Sequence, residues 1–308
     1  MLKAAKSTDN PTSWRSDWFL SVTLLTCAVF SVVGEALDSA LANPLVLKAT
    51  FLWLFSVILG SALSVVRHAE HLTVRFGEPF GTLILTLSVT FIEVKSISAI
   101  MLHGENNPAL VRDTLLSVIM IVLNGMVGLS LLLGGWKHLE QTYNLQGANT
   151  YLGVIIPLAM LSVILPDYTE TTAGPTLSFA QENTLVVISI GLYCAFLAVQ
   201  TGRHRGYFTL GGEAQGEGHE GTKAGAQSIC YHVVMLAAYI VPVVYLAERL
   251  AHPVDFGTET LHAPEALSGI VIALLVATPE AIGAVRAALA NKLQRSVNIL
   301  LGSVLSSI

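Results

Sequence analysis

The chain has 308 residues, of which 53% are hydrophobic and 12% are charged, and its formal net charge is −5 at pH 7. Soluble domains carry about 25% charged residues, so this composition excludes an ordinary soluble domain. The net charge is small, and we predict no nucleic-acid partner.

Apolar runs of roughly 20 residues recur along the whole chain, and each is long enough to cross a bilayer as a helix. The sequence therefore predicts an all-α, multi-pass membrane protein. The first run lacks a small-residue cleavage site, so we interpret it as a span and not as a signal peptide. The runs cover residues 17–36, 45–66, 79–103, 114–135, 150–166, 183–201, 228–247 and 265–288, and a ninth begins near Ser296 and continues to Ile308. The ninth run is shorter than a full span, so either the chain is a fragment, which we expect, or its final helix is short.

Lysine and arginine are concentrated in every second connection between these runs. Twelve of them lie in the N-terminal tail or in the connections that follow the second, fourth, sixth and eighth runs, and three lie in the other connections. The positive-inside rule then predicts a cytoplasmic N-terminus. Residues 202–227 are polar and glycine-rich, which predicts a flexible cytoplasmic linker between two halves of the chain.

The third and eighth runs contain an internal repeat. GTLILTLSVTFIE begins at Gly81 and SGIVIALLVATPE begins at Ser268, and in this alignment Glu93 and Glu280 coincide. The two acids lie five spans apart, in the third and eighth runs, and an odd offset inverts the second copy relative to the first. Transporters with inverted repeats form their site near mid-membrane, where the repeats meet. The repeat therefore predicts that Glu93 and Glu280 lie close together.

Two acids near the middle of membrane-spanning runs indicate an ion-binding site. An ionised carboxylate at the bilayer centre costs about 2.5–3.5 kcal/mol, so it normally faces the protein interior or a wet cavity. Thr86 and Thr90 share a helix face with Glu93, and their oxygens suit a hard cation. Burial and mutual repulsion favour the protonated acids, whereas a bound cation favours the ionised ones. Cation and protons then compete for Glu93 and Glu280, which predicts cation/proton antiport.

Further polar residues accompany the two acids. Pro279 removes a backbone donor next to Glu280 and predicts an interrupted helix at Thr278 and Pro279. Other residues that could support the site fall on matching faces of the fourth and ninth runs. An alternative interpretation is that such small and hydroxyl residues only let helices pack closely. These residues are Asp113, Ser117, Asn124, Asn298, Gly302 and Ser303.

Lys95 is a basic residue inside the third run, two positions after Glu93. On a helix it points about 200° away from Glu93, so the two cannot pair within the helix. We expect its stem to extend toward the membrane surface. The alternative is that its charge tunes the site.

Three stretches carry a resemblance to a known family. They are GEPFGTLILTLSVTFIEV (77–94), RDTLLSVIMIVLNGMVGLSLLLGG (112–135) and TPEAIGAVRAALANKLQRSVNILLGSVLSSI (278–308). They closely resemble bacterial ChaA-type calcium/proton antiporters of the calcium/cation exchanger superfamily. The resemblance implies eleven spans, namely one extra helix followed by two inverted repeats of five helices, of which about nine spans are present here.

The resemblance also implies an organisation and a site. Residues 1–16 would form a cytoplasmic tail, 17–201 the extra helix and first repeat, and 228–308 an incomplete second repeat. Glu93 and Glu280 would be the transport acids and metal ligands, with the regions around Ser117 and Gly302–Ser303 as their polar partners. The protein would lie in a bacterial inner membrane, use no cofactor, and carry Ca²⁺, Na⁺ or K⁺ against protons.

Two other functions stay open from the residues alone. A monovalent cation/proton antiporter could use the same acids, because two carboxylates balance one divalent ion or one monovalent ion plus a proton. A passive cation channel is a further class, although a channel more often repeats its filter around a symmetric oligomer. An enzyme is not predicted, since no zinc-hydrolase HExxH motif occurs. The oligomeric state is not readable from the sequence.

Overall fold

A computed structural model describes residues 17–76, 88–95, 97–98, 109–172, 176–202, 204–208, 229–264 and 266–308. Within these ranges the chain forms helices and turns and no strand, as predicted. Residues 88–95 and 97–98 are helical and are called the Glu93 segment. The longer helices are α1 (Trp18–Ser39), α2 (Pro44–Phe76), α3 (Ala109–Met120), α4 (Val127–His138), α5 (Leu145–Ala159), α6 (Phe179–Thr201), α7 (Ile229–Thr260), α8 (Ala266–Leu289) and α9 (Leu293–Ser307).

Seven stretches of the described residues are long and apolar enough to cross a membrane. Two of these stretches change helix type along their length. α3 continues through a π-helical turn, Ile121–Met126, into α4, and α5 continues through Met160–Ile164 and a 3-10 turn, Leu165–Tyr168. The seven spans are Trp18–Ser39, Pro44–Ala69, Val111–His138, Leu145–Tyr168, Phe179–Thr201, Ile229–Thr260 and Leu267–Leu289, and each contains or overlaps an apolar run predicted from the sequence.

The outer surface of the bundle is apolar. α1 buries Thr23 and Thr26 against its neighbours and exposes Val32, which is 83% accessible. Exposed aromatic side chains lie at the ends of the helices, where Trp and Tyr favour the membrane–water interface. Examples are Trp18, Trp136 and Tyr168. This surface is expected to face lipid.

One core joins α1, α2 and α7. α2 and α7 make the most extensive helix–helix contact of the described residues, and α1 packs against both. Leu54 on α2 and Tyr239 and Leu246 on α7 are fully buried there. The hydroxyl groups of Thr23 on α1 and Ser61 on α2 are 2.8 Å apart, so a hydrogen bond also links these two helices.

A second core surrounds α8. This helix packs against α3, α4 and α9, and α9 also packs against α5. Ala273, Ala277, Ala284 and Ala288 contribute small buried side chains to it. Small residues let neighbouring helices approach closely, which is how helices associate in a membrane.

The helices follow the inverted-repeat arrangement. In the repeat predicted from the sequence, α2 opens the first copy and α7 opens the second, and these two helices pack together. The Glu93 segment and α8 occupy equivalent places after them. α8 packs on α3 of the first repeat, and the Glu93 segment is hydrogen-bonded to α9 of the second. Each acid-bearing element therefore contacts the other repeat.

Three local predictions differ from the structure. α8 continues through Pro279 as an unbroken helix, and α7 likewise continues through Pro242 and Pro253. Proline removes one backbone donor, but its fixed φ is helical and the apolar surroundings offer the remaining groups no alternative partner. α9 begins at Leu293, three residues before the predicted start. Within the predicted linker, residues 205–207 form a 3-10 turn and Phe208 is buried. Residues 1–16 and 209–228 lie outside the described residues.

Candidate cation site

Glu93 is buried in the middle of the protein, with only 3% of its surface accessible. Its Oε2 accepts a hydrogen bond of 2.6 Å from the hydroxyl of Ser307 on α9. A buried carboxylate needs such donors, because its burial without them is costly. The bond joins the first repeat to the second.

Glu280 lies on α8 and is partly buried. Its Oε2 accepts a hydrogen bond from the hydroxyl of Ser303, also on α9. Ser303 and Ser307 are one helical turn apart, and the Ser307 hydroxyl also lies 3.0 Å from the Ser303 carbonyl oxygen. One face of α9 therefore contacts both acids.

Two oxygen atoms on the Glu93 segment have no hydrogen-bond partner among the described residues. They are Oε1 of Glu93 and Oγ1 of Thr90, and both are buried. Thr90 precedes Glu93 by three residues, so the two side chains share a helix face. Buried polar atoms are normally paired, and unpaired ones require an explanation such as a water or an ion. Thr86, the other predicted threonine, lies outside the described residues.

The hydrogen bonds described for the predicted partners on α3 and on the turn that follows it do not reach the acids. Ser117 is buried but donates its hydroxyl to the Asp113 carbonyl at 2.7 Å. Asp113 accepts a hydrogen bond of 3.2 Å from Arg112, and its backbone packs against Gly269 on α8. Gly269 is 11 residues before Glu280, or about 16 Å along a helix. Asn124 is exposed and donates to the Met120 carbonyl at 3.2 Å.

Thr278 and Pro279 directly precede Glu280, and neither makes a described hydrogen bond to the two acids. Thr278 donates its hydroxyl to the Leu274 carbonyl of its own helix. Pro279 lines an apolar cavity between α2, the Glu93 segment and α8. Residues from all three elements contribute to this cavity, including Ala62, Ile92 and Leu275. The acids are thus flanked on the α2 side by an apolar space.

A buried polar network fixes the start of α9. Gln294 is 1% accessible, and its Oε1 accepts a 2.6 Å hydrogen bond from the backbone of Asn144 at the start of α5. Its amide donates to Asn298 at 2.9 Å, and Asn298 donates to the Phe208 carbonyl at 2.7 Å. Asn298 therefore anchors α9 and does not reach the acids. Gly302 faces Tyr151 on α5.

Lys95 lies on the outer side of the Glu93 segment. It is exposed, and its ammonium group lies 5.8 Å from the centre of the Phe91 ring. Phe91 is also exposed. As expected from helix geometry, the lysine does not face Glu93.

Sequence analysis missed Ser307, the residue that joins Glu93 to α9. The signal was present, because Ser307 follows Ser303 by four residues and so lies on the same helix face. Within the described ranges no group of three or more His, Cys, Asp or Glu side chains is arranged to hold a metal. The candidate site therefore consists of two carboxylates with hydroxyl oxygens, which is an all-oxygen ligand set suited to hard cations.

Comparison with known proteins supplies the family. Residues 46–202 match the sodium/calcium exchanger protein family. The chain is 41% identical over 270 residues to the sodium-potassium/proton antiporter ChaA of Escherichia coli (strain K12), covering 86% of this chain and 72% of the relative. It is 27% identical over 241 residues to the Ca²⁺/H⁺ antiporter ChaA of Bacillus subtilis (strain 168), covering 78% and 67%.

Solved structures show the same fold. The H⁺/Ca²⁺ exchanger CAX superimposes with a TM-score of 0.68 at 12% identity, over 96% of this chain and 70% of that one. Native YfkE superimposes with a TM-score of 0.64 at 22% identity, over 94% and 78%. These matches agree with the all-helical, inverted-repeat fold predicted from the sequence.

Proposed function

This chain belongs to the sodium/calcium exchanger family, and we propose that it is a cation/proton antiporter that moves Ca²⁺ out of the cytoplasm in exchange for protons at Glu93 and Glu280. The observation that carries the proposal is the pairing of the two acids on one face of α9 through Ser303 and Ser307. The relatives are named as antiporters, which also argues against an enzymatic function.

The chemistry follows from competition for the same oxygens. With protons bound, each carboxyl group is neutral and can be buried without a counter-ion. With a cation bound, both acids are ionised, and the ion neutralises them while the hydroxyl oxygens complete its shell. Glu93 Oε1 and Thr90 Oγ1, which have no partner among the described residues, are available to such an ion.

Coupling requires that the site opens to one side at a time. In an inverted-repeat transporter, one repeat rocks against the other around a fixed site. Glu93 belongs to the first repeat and its hydrogen-bond donor, Ser307, to the second, so loading of the acids acts on the boundary between the repeats. We place the protein in a bacterial inner membrane with its N-terminus in the cytoplasm, from the distribution of Lys and Arg.

A second candidate is exchange of Na⁺ or K⁺ for protons at the same acids. The observation that favours it is the 41% identity to a protein named as a sodium-potassium/proton antiporter. Two acids accommodate one monovalent ion with one proton retained. The two candidates differ in ion and in the number of protons exchanged.

The test is ion-driven proton movement in sealed vesicles that contain the purified protein and a pH-sensitive dye. Ca²⁺, Na⁺ and K⁺ are added separately, and the ion that releases protons identifies the substrate. We expect Glu93→Gln and Glu280→Gln to abolish the signal and Glu182→Gln, an exposed acid on α6, to leave it unchanged. Unchanged exchange in both site variants would refute the role of the pair, and ion flux without proton movement would indicate a channel.

A further inference from the structure

A second cluster of titratable groups, with no described hydrogen bond to the acid pair, lies at the end of the bundle where α1 and α7 begin. It is formed by Asp17, which precedes α1, by Arg67 and His68 on α2, and by Tyr231 and His232 on α7. Both histidines are buried, with 3% and 7% of their surfaces accessible. Neither the cation site nor its anchoring network uses these residues.

The two histidines are bonded to each other. Nδ1 of His68 and Nδ1 of His232 are 3.0 Å apart, and the ring centres are 5.3 Å apart. A hydrogen bond between two ring nitrogens needs one N–H and one lone pair. The contact therefore exists only while at least one of the two Nδ1 atoms is unprotonated.

Asp17 connects the pair to α1. Its Oδ1 lies 3.3 Å from Nε2 of His68 and 3.3 Å from Nη2 of Arg67, and its Oδ2 accepts a hydrogen bond from the hydroxyl of Tyr231. A carboxylate at this distance favours a proton on Nε2 of His68 and leaves Nδ1 as the acceptor for His232. Asp17, His68 and His232 thus form a chain across three helices.

We propose that Asp17, His68 and His232 form a second proton-binding site, which holds the ends of α1, α2 and α7 together and releases them when both imidazoles are protonated. Two imidazolium groups have no acceptor between them and repel each other in a buried position. Loss of the His68–His232 bond removes one of the contacts that tie α7 to α2 and Asp17, and the hydrogen bond from Tyr231 to Asp17 is another. The ligand of this site is the proton itself.

The surrounding charges set how many protons the closed cluster accepts. Among the described residues, the other titratable or charged groups around the pair are Asp17, Arg67, His71, Tyr231 and Tyr239. Asp17 stabilises one positive charge, whereas Arg67 opposes a second one. His71 stacks on His232 with ring centres 4.8 Å apart, and its protonation would also oppose a charge on His232. The ring of Tyr239 lies 6.0 Å from that of His68.

The position of the cluster gives it a consequence for transport. α2 and α7 are the equivalent first helices of the two repeats, and α1 is the extra helix, so the cluster joins all three parts of the protein. Release at this end would ease movement of one repeat against the other. This consequence rests on the proposed exchange function, but proton binding by the cluster does not.

Amide hydrogen exchange of the purified protein at several pH values tests the inference without any transported ion. In the wild type we expect residues 17–24 and 229–236 to exchange about tenfold faster, after correction for the intrinsic pH effect, when the pH falls from about 8 to about 5. In a His68→Gln/His232→Gln variant the amides can bond to each other but do not titrate, so we expect this acceleration to disappear. Should the double variant not fold, the single variant His232→Gln serves the same purpose.

His262→Asn is the matched control, because His262 is exposed beyond the other end of α7 and its φ of 48° suits asparagine. It should behave as the wild type. Equal protection of the wild type at both pH values, or the same acceleration in the His68→Gln/His232→Gln variant, would overturn the inference. Vesicle exchange measured alongside separates the two proposals, since failure of exchange with a preserved pH response would refute only the transport function.

Discussion

Ser307 and Glu93 are 214 positions apart in the chain and belong to opposite copies of the predicted repeat, yet the serine hydroxyl lies 2.6 Å from the carboxylate of the glutamate. One turn earlier on the same helix, Ser303 donates to Glu280. α9 therefore holds the acid of its own repeat and the acid of the other repeat at once. A change of charge on either acid alters the hydrogen bonding of the same helix face.

The first prediction concerns these two serines. Ser303→Ala and Ser307→Ala each remove a hydrogen bond to a carboxylate and a possible ion ligand. Hydrogen bonds to charged groups contribute about 1.5–3 kcal/mol, so we expect the KM for the transported cation to rise about tenfold or more. The measurement is the initial rate of exchange in vesicles against cation concentration.

Ser306→Ala is the control for this pair. Ser306 lies on the same helix, and its hydroxyl donates to the Ser303 carbonyl and to neither acid. Its KM should stay within about twofold of the wild type, the range expected of a substitution that removes no key interaction. Equal effects of all three substitutions would mean that the serines act through helix packing and not through the acids.

The second prediction concerns the proton competition itself. A protonated carboxyl group cannot ligate a cation, so lowering the pH on the cation side must raise the KM. The slope of log KM against pH should approach about −2 if a divalent ion displaces two protons, and about −1 if a monovalent ion displaces one. Exchange rates at a series of pH values give this slope. A KM independent of pH would contradict competition at shared oxygens.

The third prediction concerns Lys95. Because its side chain is exposed beside Phe91 and directed away from Glu93, Lys95→Gln should change neither the KM nor the order of ion preference by more than about twofold. The same vesicle assay with Ca²⁺, Na⁺ and K⁺ checks this. A change in ion preference would instead support the alternative that its charge tunes the site.

The fourth prediction concerns the packing of α5. A Cβ atom at Gly147 would overlap the backbone carbonyl oxygen of Tyr207, whereas a Cβ atom at Gly153 meets nothing within 4 Å. Gly147→Ala should lower stability by about 1–3 kcal/mol, since backbone must move to accept the methyl group. Gly153→Ala should raise it by about 0.5–1 kcal/mol, since alanine is the better helix former.

Thermal unfolding of the two glycine variants in detergent provides the measurement. Because both positions lie on one helix and receive the same substitution, any difference between them reflects the space around each site. Similar midpoints for the two variants would show that the turn at 205–207 does not pack on α5 as described.

The sequence by itself determined the seven spans found among the described residues and the inverted-repeat fold, and it singled out the two acids. Apolar run length is sufficient for the spans, because a membrane helix must satisfy all its backbone groups internally and needs a fixed length to cross. Glu93 and Glu280 stood out since an acid at membrane depth is costly without a role. Helix geometry alone predicts that Lys95 points away from Glu93. Its contact with the Phe91 ring agrees with that direction.

Only the tertiary structure decided which polar residues meet the acids. Helical spacing places Asn124 and Asn298 on polar faces of their helices, as it does Ser303. In the structure, however, Asn124 is exposed and Asn298 donates to the Phe208 carbonyl. The helix at Pro279 is unbroken, because the neighbouring helices and not the proline set its path. Ser307 pairs with Glu93 across 214 positions of the chain, and His68 pairs with His232 across 164. Helical periodicity fixes the face of a residue within its own helix, whereas the partner of that face is chosen by the packing of the whole bundle.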